Sequence, residues 1–125
     1  MLERVSVSHL REEKSRPTWL NRALELLHES FRESLTLEEI ARQVGVHPIH
    51  LSRVFRRHFG CTMSEFMNRL RVQFVCRELS RDCTELAIVA SDAGFADQSH
   101  LGRIFKSCTG QTPGEFRSFF QSQHP

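Results

Sequence analysis

Residues 45–60 read GVHPIHLSRVFRRHFG, and residues 94–110 read GFADQSHLGRIFKSCTG. Both hold a His-Leu-x-Arg-aliphatic-Phe core between two glycines, and the second is one residue longer. The likeness extends outward on both sides. Before the turn the halves match at an offset of 49 residues, pairing Leu37 with Leu86, Ala41 with Ala90 and Gly45 with Gly94. After it the offset is 50, pairing His50 with His100, Arg53 with Arg103, Gly60 with Gly110, Thr62 with Thr112 and Phe66 with Phe116. One residue has therefore been inserted in the second turn, within Phe95, Ala96 and Asp97. An internal repeat present in only two copies is too short for a solenoid, so it predicts two small homologous subdomains.

Around these stretches the chain carries seven helical patterns and no strand pattern. The first follows Pro17, with Leu20, Ala23, Leu24, Leu27 and Phe31 forming one apolar stripe. Thr36 and Glu39 make a capping box for the second, which Gly45 stops by turning left-handed. The third runs from Pro48 to about His58. Thr62 and Glu65 form another capping box and open a long helix over 63–79, about 25 Å at 1.5 Å per residue. The stretch SRDCT (80–84) reads as a break. The fifth helix is expected over 85–93 and the sixth over 98–107. Thr112 and Glu115 cap the seventh, which carries Phe116, Phe119 and Phe120. The tail QSQHP (121–125) is expected to fray. The fold class is all-α, with boundaries at 1–16 for an N-terminal segment, 17–61 and 81–121 for the two subdomains, and 62–80 for the helix that joins them.

Helix, tight turn, helix is the shape of a helix-turn-helix unit. Ala41 or Ala90 lets the two helices approach, and Gly45 or Gly94 supplies the turn. In such a unit the second helix enters the DNA major groove and its N-terminal exposed residues reach base edges. In the first copy Leu51, Val54, Phe55 and Phe59 form the core stripe, while Ile49, Ser52, Arg53 and Arg56 share another face. That face can meet a thymine methyl, fork onto guanine or grip phosphate. In the second copy Leu101, Ile104 and Phe105 are core. Ser99, Gly102, Arg103 and Lys106 share the other face, with Gln98 and His100 at its edge. Gln98 can pair bidentately with adenine, whereas Gly102 offers no side chain.

Charge follows the repeat. The chain of 125 residues has a formal charge of +2, but residues 47–77 hold six arginines and one acid, and residues 101–125 hold three basic groups and one acid. The stretch between, 78–100, holds five acids and one base. Two basic zones thus accompany the two turn-and-helix stretches and suit a polyanion. No apolar run reaches the roughly 18 residues of a membrane span. The start MLERVSVSHLREEKSR lacks the apolar stretch of a signal peptide, so the expectation is a cytoplasmic, nucleoid-associated protein with its four cysteines reduced and unpaired.

Over roughly residues 18–120 the chain resembles the DNA-binding domain of the AraC family of bacterial transcription regulators. The stretch GFADQSHLGRIFKSCTGQTPGEFR is similar to the family signature, and IARQVGVHPIHLSRVFRRHFG with RLR in the long helix fits the first half. The resemblance implies sequence-specific regulation of transcription, with recognition helices in two successive major grooves of double-stranded DNA. It implies base contacts from Ile49, Ser52 and Arg53, and from Ser99, His100, Gly102 and Arg103. To these the face analysis adds Gln98 as a base reader and Arg56, Arg57 and Lys106 as phosphate contacts. RNA polymerase is a candidate second partner. The isolated domain is expected to be a monomer, and a longer parent chain, with residues 1–16 as a linker remnant, a candidate dimer. The chain departs from the family pattern at Gly102, at Ile88 and at Glu85, where Thr84 is the alternative cap.

Two other classes compete. A metal-sensing module would use His47, His50, His58 and Cys61, whose spacing zinc accepts. Against it, His47 and His50 are needed at the turn and helix start, and His50 recurs at His100 as part of the repeat. A helical protein-interaction module would need an exposed apolar surface, for which Ile88, Phe119 and Phe120 leave room. No Cys-His-acid order is recognisable around Cys76 or Cys83. No residue is assigned to catalysis, to a metal or to a cofactor.

Overall fold

The computed structural model describes residues 16–81 and 83–123, with backbone alone for Ser122 and Gln123. Among them are seven helices and no strand: α1 Thr18–Ser30, α2 Leu37–Val44, α3 Pro48–Phe59, α4 Met63–Arg81, α5 Leu86–Ala93, α6 Gln98–Thr109 and α7 Pro113–Gln123. The chain divides into two compact units. One holds the described residues through Glu29 together with Leu35–Met63, and the other holds Ser30–Ser34 with the described residues from Ser64 onward. The proposed N-terminal linker lies outside the described residues except for Arg16, whose guanidinium sits 4.7 Å from the centre of the Phe59 ring.

In the first unit, α1 buries Leu20, Ala23, Leu26 and Leu27. The expected stripe included Leu24 and Phe31 instead of Leu26. Leu24 is half-buried, and Phe31 has left the helix. Its backbone carbonyl accepts a hydrogen bond from Arg71 Nε at 2.7 Å, and its ring packs edge-on against Phe74. Those contacts draw Phe31 into the second unit. Helix α2 begins on the expected capping box: Glu39 N donates to Thr36 Oγ1 at 3.1 Å, and Thr36 N to the Glu39 carboxylate at 3.5 Å. Ile40 and Ala41 are fully buried, opposite Leu51, Val54 and Phe55 of α3 in the same core.

The second unit repeats the plan. Its core gathers Val72, Val75 and Leu79 of α4, Val89, Ala90 and Ala93 of α5, Phe95 of the turn, and Leu101 and Phe105 of α6. Ala90, like Ala41, has no exposed surface. The Phe105 ring then meets Phe116 of α7. Helix α7 starts on its own capping box, with Glu115 N donating to Thr112 Oγ1 at 3.1 Å and Thr112 N to Glu115 Oε1 at 3.3 Å.

Several boundaries differ from expectation for local reasons. Helix α4 continues to Arg81, because Ser80 Oγ donates to the Arg77 carbonyl at 2.9 Å and keeps its hydroxyl satisfied inside the helix. Helix α6 reaches Thr109, whose Oγ1 donates to the Phe105 carbonyl at 2.8 Å. Helix α5 begins at Leu86 with Glu85 as its N-cap residue and no side-chain capping bond, so neither Glu85 nor Thr84 caps it. Helix α7 runs through Gln123 where the tail was expected to fray, and residues 124–125 lie outside the described residues.

Both turns start alike. Gly45 and Gly94 are left-handed, at φ +76° and +97°. In the first, Gly45 N donates to the Arg42 carbonyl and Val46 N to that of Ala41. In the second, Gly94 N donates to the Ser91 carbonyl and Phe95 N to that of Ala90. This paired closure satisfies two carbonyls left over at the helix end and aims the next residue, Val46 or Phe95, back at the core. The surroundings differ. A Cβ on Gly45 would meet nothing within 4 Å, whereas one on Gly94 would lie 2.8 Å from the carbonyl oxygen of Arg32.

Unfolding in urea should separate three glycines. Gly45→Ala should cost about 1–2 kcal/mol, the left-handed penalty alone. Gly94→Ala should cost clearly more, because the Arg32 backbone must also move. Gly102→Ala, inside α6 with nothing within 4 Å of the added Cβ, should stabilise by about 0.5–1 kcal/mol.

Candidate nucleic-acid interface

Helix α3 opens on His47, whose ring Nδ1 accepts the Ile49 N–H at 3.2 Å. An imidazole thus does the capping work usual for Ser or Asp, and Pro48 follows at the first helical position, where its missing N–H costs nothing. With Leu51, Val54 and Phe55 turned to the core, Ile49, Ser52, Arg53, Arg56 and Arg57 are left exposed. Ile49 is 60% exposed although its side chain is wholly apolar. Its neighbour His50 packs its ring against Trp19, centroids 5.4 Å apart.

Helix α6 opens on Asp97, whose Oδ1 accepts the His100 N–H at 2.7 Å. Gln98, Ser99, Arg103 and Lys106 are exposed, and His100 and Gly102 are half-buried. The His100 ring turns toward its own turn: Nδ1 accepts the Ala96 N–H at 3.3 Å, and the ring stands edge-on to Phe95 at 5.3 Å. Neither α3 nor α6 contains an Asp or Glu. Arg53, Arg56, Arg57, Arg103 and Lys106 make no ion pair or hydrogen bond with another described residue. Their charge is therefore not neutralised by any other described residue.

The basic zones are smaller than their arginine count suggests. Arg71 is half-buried and donates from Nε to the Phe31 carbonyl and from Nη2 to the Glu33 carbonyl at 3.3 Å. Burial lowers its guanidinium pKa from the usual value. Arg32 donates from Nε to the Asp92 carbonyl at 2.6 Å and lies over the Phe74 ring. Arg117 donates from Nη2 to the Thr84 carbonyl. These three hold backbone and are not free to grip phosphate. The sequence signal for Arg71 was its helical phase: it falls four residues after Met67 and four before Val75, both buried.

No group of three or more His, Cys, Asp or Glu side chains among the described residues is arranged to hold a metal. His47 Nδ1 is occupied by its cap, and Cys61 is buried. None of the four cysteines forms a disulfide among the described residues. Burial raises the Cys76 thiol pKa against the opposing charge of Arg77, the reverse of an activated thiolate. No helix among the described residues is long and apolar enough to cross a membrane.

Two tight turns, each closed by a left-handed glycine and each followed by an exposed, acid-free helix, define a helix-turn-helix protein of the DNA-binding class. The family model described as a helix-turn-helix domain matches residues 40–118. The bifunctional transcriptional activator/DNA repair enzyme AdaA of Bacillus subtilis is 31% identical over 99 residues, covering 79% of this chain and 47% of its own. The chain thus spans about half the length of that relative. Among solved structures, a transcriptional regulator with an AraC-type DNA-binding domain from Chromobacterium violaceum superposes with a TM-score of 0.75 at 25% identity, over 86% of this chain and 94% of its own. The DNA-binding domain of AdpA, solved with a target DNA, superposes with a TM-score of 0.79 at 22% identity, over 85% and 96%. The chain belongs to the AraC-type helix-turn-helix family and is a DNA-binding domain of that class of transcription regulator.

Arg71→Met should lower stability by about 2–3 kcal/mol, since it strips partners from two carbonyls at once. Arg77→Met, exposed on the same helix, should stay within about 0.5 kcal/mol. Urea denaturation of both variants checks the contrast.

Proposed function

We propose that the chain reads double-stranded DNA with α3 and α6, each set into one of two successive major grooves. The observation that carries this reading is the pair of acid-free helix faces whose cations have no ion pair or hydrogen bond among the described residues. Such cations can neutralise phosphates and release counterions, while neighbouring side chains meet base edges. On α3 the base readers are Ile49, Ser52 and Arg53, with Arg56 and Arg57 on phosphate. On α6 they are Gln98, Ser99 and Arg103, with Lys106 on phosphate. The family positions His100 and Gly102 also fall on α6, Gly102 offering backbone only.

In this reading the chain catalyses nothing. Residues 17–61 and 81–121 are the two readers, and 62–80 join them. The isolated domain binds as a monomer. It works in the cytoplasm on nucleoid DNA, and RNA polymerase is its second partner. A protein-interaction role is favoured only by Ile88 on α5 and Phe119 on α7, 48% and 54% exposed.

Footprinting on a selected binding site tests the reading. Protection is expected in two groove segments about 34 Å apart; protection of a single segment would overturn it. Arg53→Ala should cost about 1–3 kcal/mol and relax preference at one base pair. Arg57→Ala or Lys106→Ala should weaken all duplexes alike and lower the salt slope by about 1. Titrations at several salt concentrations separate the two patterns.

A further inference from the structure

The repeat places a histidine at the same point of both recognition helices, yet the two rings have different surroundings. His50 packs on Trp19, and His47, three residues before it, supplies the cap. In the second copy the turn is one residue longer. The longer turn brings one more backbone N–H to satisfy before the helix begins, and Ala96 carries it. Two side chains then divide the capping. Asp97 Oδ1 takes the His100 N–H at 2.7 Å, and His100 Nδ1 takes the Ala96 N–H at 3.3 Å. The two bonds cross: each residue's side chain accepts a backbone N–H at the other's end of the turn, as in a capping box, with an imidazole in place of the usual Glu. The ring is held edge-on to Phe95, which is buried in the core of the second unit.

We propose that His100 is a positioning residue: through Nδ1 it latches the lengthened turn and so sets the angle at which Gln98, Ser99 and Arg103 are presented. This rests on the reading of α6 as a DNA reader and takes His100 out of the base-contacting set. An Nδ1 that accepts from Ala96 fixes the neutral ring with its proton on Nε2. The ring cannot also offer Nδ1 to a base. The first copy, with the shorter turn, has no equivalent amide and leaves His50 to pack instead.

Two substitutions distinguish positioning from base contact. His100→Asn keeps an acceptor where Nδ1 stands and removes Nε2. His100→Gln carries its amide to the Nε2 position and leaves Ala96 unpaired. Binding is measured on a selected duplex and on single base-pair substitutions across the half-site under α6. H100Q should lose about fivefold in affinity, the worth of one lost hydrogen bond, with discrimination weakened at several base pairs together. H100N should restore most of that loss. The preferences of the other half-site should not change. The reverse order of the two variants, equal effects of both, or a loss confined to one base pair would overturn the assignment. Nitrogen NMR of the free protein supplies a readout that needs no DNA. The neutral His100 ring should carry its proton on Nε2, and the Ala96 amide should exchange faster in H100Q than in H100N. A proton on Nδ1 would overturn the latch. Failure of the unsubstituted protein to prefer any duplex, with the latch intact by NMR, would instead remove the DNA reading of α6.

Discussion

The structure depends on a helix being stopped and turned within a few residues without leaving its last carbonyls bare. Gly45 and Gly94 do this from a left-handed conformation that other residues enter only at a cost. The same pair of backbone bonds follows each, and the next apolar residue is sent inward. Only then can the following helix pack its apolar stripe on the preceding one, close against a fully buried alanine. The cations Arg53, Arg56, Arg57, Arg103 and Lys106 on those second helices are consequently turned outward. The exposed cations of α3 and α6 are the remainder left by the core, and their usefulness to a polyanion follows from how completely the other side is buried.

The inserted residue tests how much such a unit tolerates. Both helices start with a side chain closing the open backbone donors, but by different chemistry: an imidazole with a proline after it in one, a carboxylate with an imidazole behind it in the other. Equivalent histidines have consequently diverged, one against a tryptophan and one in its own turn. The two helix-turn-helix units are thus built on one plan but capped by different side chains.

Much of this was legible because it is local. Capping boxes at Thr36 and Thr112, the stopping glycines, and the core and outer faces of α3 and α6 all follow from spacing of a few residues. What escaped was long-range. Phe31 continued the α1 periodicity in sequence, yet a hydrogen bond from Arg71, forty residues away, draws it elsewhere. Arg71 and Arg117 counted toward basic zones until their carbonyl partners were seen, because charge per residue says nothing of where a guanidinium points. Gly94 could be read as a turn residue, but the pressure of the Arg32 backbone on it could not. Helix ends at Arg81 and Thr109 moved because hydroxyls bonded back into the helix. The roles expected of the outer residues of α3 and α6 were read from face and family together; the half-buried placing of His100 needed the turn itself.

The segment Ser30–Ser34 leaves α1 of the first unit but is held by the second, through Arg71 on two of its carbonyls, Arg32 on Asp92 and the close fit over Gly94. The two copies of the repeat are therefore not cassettes. A chimera that took its second helix-turn-helix unit from a cut in the joining helix would arrive without the five residues that lie over its turn. It would expose the Phe74 ring and leave Gly94 open where it had been covered. Any exchange of the second unit between relatives has to move that short segment together with the helix it supports, although some thirty residues of the other unit stand between them in the chain.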